Sequence, residues 1–374
     1  MSLGLYIHVP FCLRKCRYCD FVSYAYNRND AELYLNALNR EMEYYAQRRL
    51  DFNTVFIGGG TPSILETDHL ERLLYSARQH FQWTEDAEVT MEANPGTLTE
   101  EKLYVMRRMG VNRLSLGVQA CQQSLLNTLG RLHDYQQVIQ AVQIARVVGF
   151  NNINIDLIFG IPGQTLHQWQ KTLATVMNLQ PEHLSCYSLQ LEEGTPLAEA
   201  VAKGKINACP EELELQMYND VIDFLIKKDY QHYEISNFSK PGFNCEHNIT
   251  YWKNNQYLGV GPAAHSHMQM QRWSNTTELR QYANNLMDND LPVVERHHLT
   301  RQDAMSETVF MGLRLIKGLD LDQFYRRFGQ GVYDIWPQQI NKLTDQDLIE
   351  MSEGYLRLTY KGLRLANQVF VEFV

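Results

Sequence analysis

Six short apolar runs, at 5–9, 54–57, 88–93, 113–118, 152–159 and 184–191, alternate with amphipathic stretches, and this alternation constrains the fold most. Their length and flanking turn residues read as strands. Between them, 30–49 begins with the capping-type Asp30 and carries Leu33, Leu35, Leu38, Met42 and Tyr45 on one broad face. Thr67 opens a second helical pattern, 67–81, built on Leu70, Leu73, Leu74 and Ala77. The helices predicted over 99–109 and 135–148 each stop at a glycine, and 166–178 stops before Pro181. Strands alternating with helices imply a parallel sheet covered on both faces. Right-handed crossovers then allow a doubly wound sheet or a curved, partly closed barrel, and periodicity does not choose between them. In both, ligands belong at the C-terminal ends of the strands.

The alternation fades after about residue 200. One helix is expected over 211–228. The stretch 236–273 is rich in Asn, Gly, His and aromatics without a clear period, and reads as an ordered functional loop region. Helical patterns return over 303–315 and 321–328, and 343–374 reads as a helix, a short strand at 355–358 and a final helix. Three parts are expected: 1–235 with the strand–helix units, 236–295 as an irregular connection, and 296–374 as a small C-terminal domain.

Charge and apolar patterning exclude several classes. With 34 Lys+Arg against 43 Asp+Glu, the net charge of −9 supplies no global basic field for a nucleic acid. No apolar run approaches the ~18 residues that span a bilayer. The first residues turn polar too soon for a secretion signal. A cytoplasmic protein without an integral membrane segment is expected. Of seven cysteines, Cys121, Cys186, Cys209 and Cys245 lie far apart and read as reduced thiols.

The other three share one loop directly after the first strand: Phe11-Cys12-Leu13-Arg14-Lys15-Cys16-Arg17-Tyr18-Cys19-Asp20-Phe21. Three thiolates in so tight a loop converge on one inorganic centre, and soft thiolates select zinc or iron–sulfur. Structural zinc sites usually close with four ligands, and no fourth Cys or His follows nearby; spacing alone leaves open a zinc site completed from elsewhere. On a cubane cluster, three cysteines leave one iron open for a substrate or cofactor. Arg14, Lys15 and Arg17 surround the thiols with positive charge, which favours thiolate.

This Cys-x3-Cys-x2-Cys loop resembles the hallmark of the radical S-adenosylmethionine (SAM) superfamily. The resemblance implies an α/β fold, a partial (β/α)6 TIM-like barrel. It also implies a 4Fe-4S cluster on Cys12, Cys16 and Cys19, with SAM chelating the open iron and cleaved reductively to a 5′-deoxyadenosyl radical. Further motifs resemble the oxygen-independent coproporphyrinogen III oxidase-like proteins. Tyr6-Ile7-His8-Val9-Pro10 precedes the loop, and the resemblance makes Tyr6 a SAM contact. Phe56-Ile57-Gly58-Gly59-Gly60-Thr61-Pro62 ends strand two, where Gly59, Gly60 and Thr61 let backbone N–H groups approach a polar ligand. No Gly-Lys-Ser/Thr follows, so this is not a phosphate-binding Walker loop. Glu92, Gln119, Arg131 and Asp156 stand at or after later strand ends and match the family's SAM-pocket positions. Glu92 and Asp156 suit ribose hydroxyls or an amino group, and Arg131 suits a carboxylate. The C-terminal part, around Phe310-Met311-Gly312-Leu313-Arg314, resembles the same family's small, mostly helical, winged-helix-like domain.

Two functions share this scaffold: an oxidase that decarboxylates coproporphyrinogen III, and a haem chaperone. The oxidases carry a further Cys two residues after the third cluster Cys, where this chain has Phe21, and a longer N-terminal extension before the loop. His247-Asn248-Ile249-Thr250-Tyr251-Trp252 resembles the His-Asn-x-x-Tyr-Trp motif of the chaperone branch. A neutral histidine can ligate haem iron and aromatics can wall a macrocycle, so His247 is the expected haem contact. His265 and Cys245 are the other candidates. The resemblance thus implies a haem chaperone without coproporphyrinogen III dehydrogenase activity, with the oxidase as the alternative. Its partners would be haem, haem-acceptor apoproteins and a low-potential electron donor such as a flavodoxin or ferredoxin, drawn to the basic cysteine loop.

Overall fold

The computed structural model describes residues 3–374. Among them one large sheet holds β1 (Gly4–Val9), β2 (Asp51–Gly59), β3 (Gln82–Ala93), β4 (Arg113–Gln119), β5 (Ile153–Phe159), β6 (His183–Ser188), β7 (Gln231–Glu234), β8 (Asn237–Ser239), β9 (Tyr257–Val260), β10 (His265–Met268), β11 (Gln271–Asn275) and β12 (Val293–His298). Their spatial order is β12-β11-β10-β9-β1-β2-β3-β4-β5-β6-β8-β7. β1 to β6 run parallel in chain order, as the alternation predicts, and β9 adds a further parallel strand beside β1. The crossovers are made by α1 (Arg28–Ala46), α2 (Thr67–His80), α3 (Glu100–Arg108), α4 (Gln123–Leu129), α5 (Tyr135–Val148) and α6 (Leu166–Val176). This is the strand–helix order that the alternation predicts, and it agrees with the partial barrel that the resemblance implies.

Local chemistry sets the helix ends. α5 and α6 begin with complete capping boxes, Asp134 with Gln137 and Thr165 with Gln168. α5 stops at Gly149, whose φ of 98° suits glycine. α1 starts earlier than expected: Asn27, not Asp30, is its cap, and Asn27 accepts from the Asp30 N–H.

One face of the parallel strands packs on helices. Leu5, Ile7 and Val9 of β1 are fully buried in the same core as Leu35 and Leu38 of α1. The alternate positions carry Tyr6 and His8 of β1, Glu88 and Glu92 of β3, Arg113 and Ser115 of β4, Asn154 and Asp156 of β5, and His183 and Ser185 of β6. A parallel sheet buried between two helix layers is apolar on both faces. This polar second face marks instead the lumen of a partial barrel.

The stretch 236–295, expected to be irregular, carries β8 to β11, a short helix (Glu246–Trp252) and a second one (Leu279–Met287), with β12 overlapping its end. Strands of three to five residues show too little alternation to register as a period. Glu41 of α1 ties this extension down. It is fully buried and accepts from Gly261 N (2.8 Å), Asn275 Nδ2 (2.7 Å) and Tyr282 Oη (2.5 Å). Beyond β12 a second core gathers Phe324, Trp336, Leu356 and Phe373. It packs around a three-stranded sheet of Leu319–Asp320, Ile349–Ser352 and Tyr355–Leu358, of which the sequence predicts only the last. Two backbone hydrogen bonds, Ile235 N to Arg314 O and Ile316 N to Tyr233 O, join it to the β7 edge.

Candidate functional site

The cysteine loop is pinched at its base. Phe11–Cys12 pairs with Tyr24–Ala25, and Tyr24 N and Tyr26 N donate to Pro10 O (2.7 Å) and Cys12 O (2.9 Å). Its flank is tied to the C-terminus of α4, whose last carbonyls lack helical partners. Arg17 N reaches Leu129 O, Arg17 Nη1 reaches Thr128 O, and Arg14 Nη2 reaches Gly130 O. Two of the three basic residues therefore brace the loop, and Lys15 remains exposed.

The three thiols line one cavity of about 670 Å3. Cys12 Sγ lies 3.5 Å from Thr61 Oγ1, and Arg131 Nη1 donates to Cys16 Sγ at 3.6 Å. Burial pushes the Cys19 thiol up to about 11, and the neighbouring Cys16 and Cys12 add to that rise. Among the described residues no group of three or more His, Cys, Asp or Glu closes on a single metal ion. A cubane is held at its corners and asks for thiols that share a cavity rather than a point, which is the arrangement here.

The strand ends complete the same cavity. Glu92 Oε2 accepts from Gly59 N at 3.0 Å. A Cβ on Gly58 would stand 2.6 Å from that oxygen, and one on Gly60 2.5 Å from Phe11 O. The glycines are thus required by close approach, which leaves backbone as the wall. Burial, and then the Asp156 charge, push the Glu92 carboxyl up to about 7. Asp156 is also raised by burial, while Asn154, Ser115 and Ser185 hold it down. Arg131 is nearly buried; its Nη2 donates to Gly117 O (2.6 Å) and its Nε has no partner. Gln119 ends β4 at a bulge, with φ of 68°. Backbone held in so sparsely populated a region next to a cavity is a common mark of function. Glu92, Asp156 and Arg131 beside three thiols in a shared cleft fit a zwitterionic, sulfonium-bearing nucleoside beside a cluster.

Ten of the twelve expected site residues line this cavity: Cys12, Cys16, Cys19, Gly59, Gly60, Thr61, Glu92, Gln119, Arg131 and Asp156. Tyr6 does not. Its hydroxyl bonds His8 Nδ1 (3.0 Å), and His8 Nε2 in turn meets Val22 O (3.1 Å), which ties β1 to the loop exit.

His247 does not either: its ring is buried away from this cavity. The ring is 1% exposed, beside the starts of β1 and β2, at the opposite end of the lumen. Nδ1 meets Thr54 Oγ1 (2.9 Å), Nε2 meets Tyr251 Oη (2.8 Å), and Phe56 stacks on it. Neither nitrogen is free for iron. Burial and the Arg113 charge hold it neutral, down to about 3. Cys245 is buried against Glu88, and His265 is exposed at the start of β10.

Sequence reasoning did not single out the apolar rim. Leu13, Phe21 and Leu132 line the cavity and are 63%, 63% and 50% exposed. Apolar residues among charges in a cysteine loop were the available signal.

The Radical SAM superfamily model matches residues 6–176, and the HemN C-terminal domain model matches 299–365. A relative named heme chaperone HemW, from Bacillus subtilis (strain 168), is 37% identical over 99% of this chain and 98% of its own. The chain belongs to the HemW family of radical SAM proteins. The HemW of Escherichia coli (strain K12) is 38% identical over 70% of this chain and 69% of its own. Among solved structures, the radical SAM enzyme coproporphyrinogen III oxidase (HemN) from Escherichia coli superposes with a TM-score of 0.87. It is 26% identical and covers 100% of this chain and 90% of the oxidase. Membership of the radical SAM superfamily implies a 4Fe-4S cluster and SAM.

Proposed function

We propose that this protein is a cytoplasmic haem chaperone that passes haem to acceptor apoproteins. The observation that carries the reading is the cavity mouth. Leu13, Phe21 and Leu132 leave an exposed apolar rim beside the cysteine loop. Such a rim offers a flat macrocycle somewhere to lie while its edge stays accessible to a recipient. An oxidase needs its substrate carbon held at near-attack distance, which an open rim does not provide. The names of the HemW relatives support the same reading.

Within the cavity, Cys12, Cys16 and Cys19 would hold three irons of the cluster. The Glu92 carboxylate would receive the amino group of SAM, Arg131 its carboxylate, and Asp156 its ribose. Gly59 and Gly60 keep that wall free of side chains. When bound, the cluster and SAM supply one-electron chemistry at a sulfonium. Electrons would come from a low-potential flavodoxin or ferredoxin at the cysteine loop, where Lys15 is the cation left uncommitted.

The oxidase reading rests on the full-length superposition with the Escherichia coli enzyme. One experiment separates the two: anaerobic reconstitution, then haem titration and coproporphyrinogen III turnover with SAM and reductant on the same sample. Haem binding without turnover is expected, and Phe21→Ser with Leu132→Ser should weaken the haem. Sustained turnover by the wild type would establish the oxidase instead.

A further inference from the structure

Below the cavity floor, a chain of buried side chains leads from Asp156 to the edge of the sheet. Asp156 Oδ2 accepts from Ser115 Oγ (2.9 Å) and Oδ1 from Asn154 Nδ2 (2.8 Å). Asn154 Oδ1 meets His183 Nδ1 at 2.6 Å and also accepts from Ser185 Oγ (3.2 Å). His183 Nε2 meets Tyr233 Oη at 2.8 Å, and that oxygen accepts from Cys245 N (3.2 Å). His183 is 0% exposed and Asn154 2%, so both depend on buried partners rather than bulk solvent.

The donors in this chain are ordered by its end. A carboxylate only accepts, so Asn154 must turn its amide nitrogen toward Asp156. Its oxygen then faces His183, so the ring proton sits on Nδ1. Nε2 of the neutral ring is left as an acceptor, and the Tyr233 hydroxyl donates to it. Every hydrogen bond therefore points toward Asp156. Tyr233 is itself anchored from outside the barrel, because its carbonyl accepts from Ile316 N of the C-terminal domain at 3.0 Å.

We propose that Asn154, His183 and Tyr233 are positioning residues that hold the Asp156 carboxylate in place for the SAM ribose. The inference rests on the reading of the cavity as the SAM site. It adds that residues outside the cavity wall, one of them pinned by the C-terminal domain, set the affinity of that site. Tyr233→Phe removes one hydroxyl and leaves His183 Nε2 without a donor, at unchanged ring volume.

The test measures SAM binding to the reconstituted protein by equilibrium dialysis, in a double-mutant cycle of Tyr233→Phe with Asp156→Ala. Tyr233→Phe alone is expected to weaken SAM binding roughly three- to tenfold. In the Asp156→Ala background it should have no further effect, because the group it acts through is gone. A merely structural role would weaken binding equally in both backgrounds, and that additivity overturns the proposal. So does an unchanged affinity in Tyr233→Phe. The second readout needs no cofactor: the imidazole nitrogen resonances of His183 in the apoprotein should report a proton on Nδ1. A proton on Nε2 overturns the chain, and this readout decides the matter if Tyr233→Phe does not fold. If Asp156→Ala binds SAM as tightly as wild type, the cavity reading itself fails and the proposal falls with it. That result is distinct from a Tyr233 failure in a protein whose affinity does depend on Asp156.

Discussion

Replacing His247 by alanine separates a haem ligand from a structural residue. The ring bonds Thr54 Oγ1 and Tyr251 Oη and packs against Phe56 near the starts of β1 and β2. Truncation leaves both hydroxyls without their partner, and each orphaned buried polar group costs about 1–3 kcal/mol. The space left by the ring adds a cavity cost, smaller than the roughly 3–5 kcal/mol of a buried Phe truncated to Ala. Partial collapse and reorientation of the hydroxyls offset some of this, so a loss of about 3–5 kcal/mol is expected. That is a large part of the roughly 5–15 kcal/mol that stabilises a typical native protein. Urea unfolding of the apoprotein should show the midpoint falling with little change in slope, while haem titration of the folded variant gives the wild-type spectrum. The pH dependence carries a second signature. The folded ring takes a proton only near pH 3, against about 6.5 when unfolded. The unfolded state therefore binds more protons between those values, and stability falls as pH drops through that window. The His247→Ala variant should lose less stability over it than the wild type. A variant that unfolds within about 0.5 kcal/mol of wild type but loses its haem spectrum would refute the argument and make His247 the ligand.

The cysteines and the wall of the cavity carry the other predictions. Replacing Cys12, Cys16 and Cys19 together by alanine should abolish stoichiometric iron and sulfide after reconstitution, while circular dichroism stays native; retained iron and sulfide would contradict the cluster assignment. Gly60→Ala places a methyl 2.5 Å from the Phe11 carbonyl, so it should displace the loop base and weaken SAM binding, read by dialysis against the unaltered affinity expected of a loose turn. The Glu92 carboxyl, pushed up to about 7 by burial and then by Asp156, is ionised above that pH and protonated below it. SAM affinity should rise as pH increases through about 7, and a profile that is flat there, or unchanged in Glu92→Gln, would remove Glu92 from the amino-group site.

Much of the site is legible in the chain because its signals are local. Cys12, Cys16 and Cys19 lie within one short loop, and three consecutive glycines, Gly58 to Gly60, stand at the end of one strand. Glu92 and Asp156 are polar residues on strands whose neighbours Met91 and Leu157 are buried apolar. The alternation of runs and helices determines the order β1 to β6, since each crossover joins strands next to each other in the chain.

What the chain order does not contain is which polar residues end up together. His247 belongs to a motif that suggests a ligand, yet its partner Thr54 is 193 residues away, and that contact holds the ring beside the start of β2. Likewise β9 pairs with β1, some 250 residues distant, and neither strand carries a mark that selects the other. The apolar rim of Leu13, Phe21 and Leu132 exists only because Arg14 and Arg17 fasten the loop to the end of α4 and bring Leu132 beside it. Local periodicity and spacing report what one segment wants. Burial, pairing and the exposure of a side chain are set by segments remote in sequence, and only the folded chain brings them into contact.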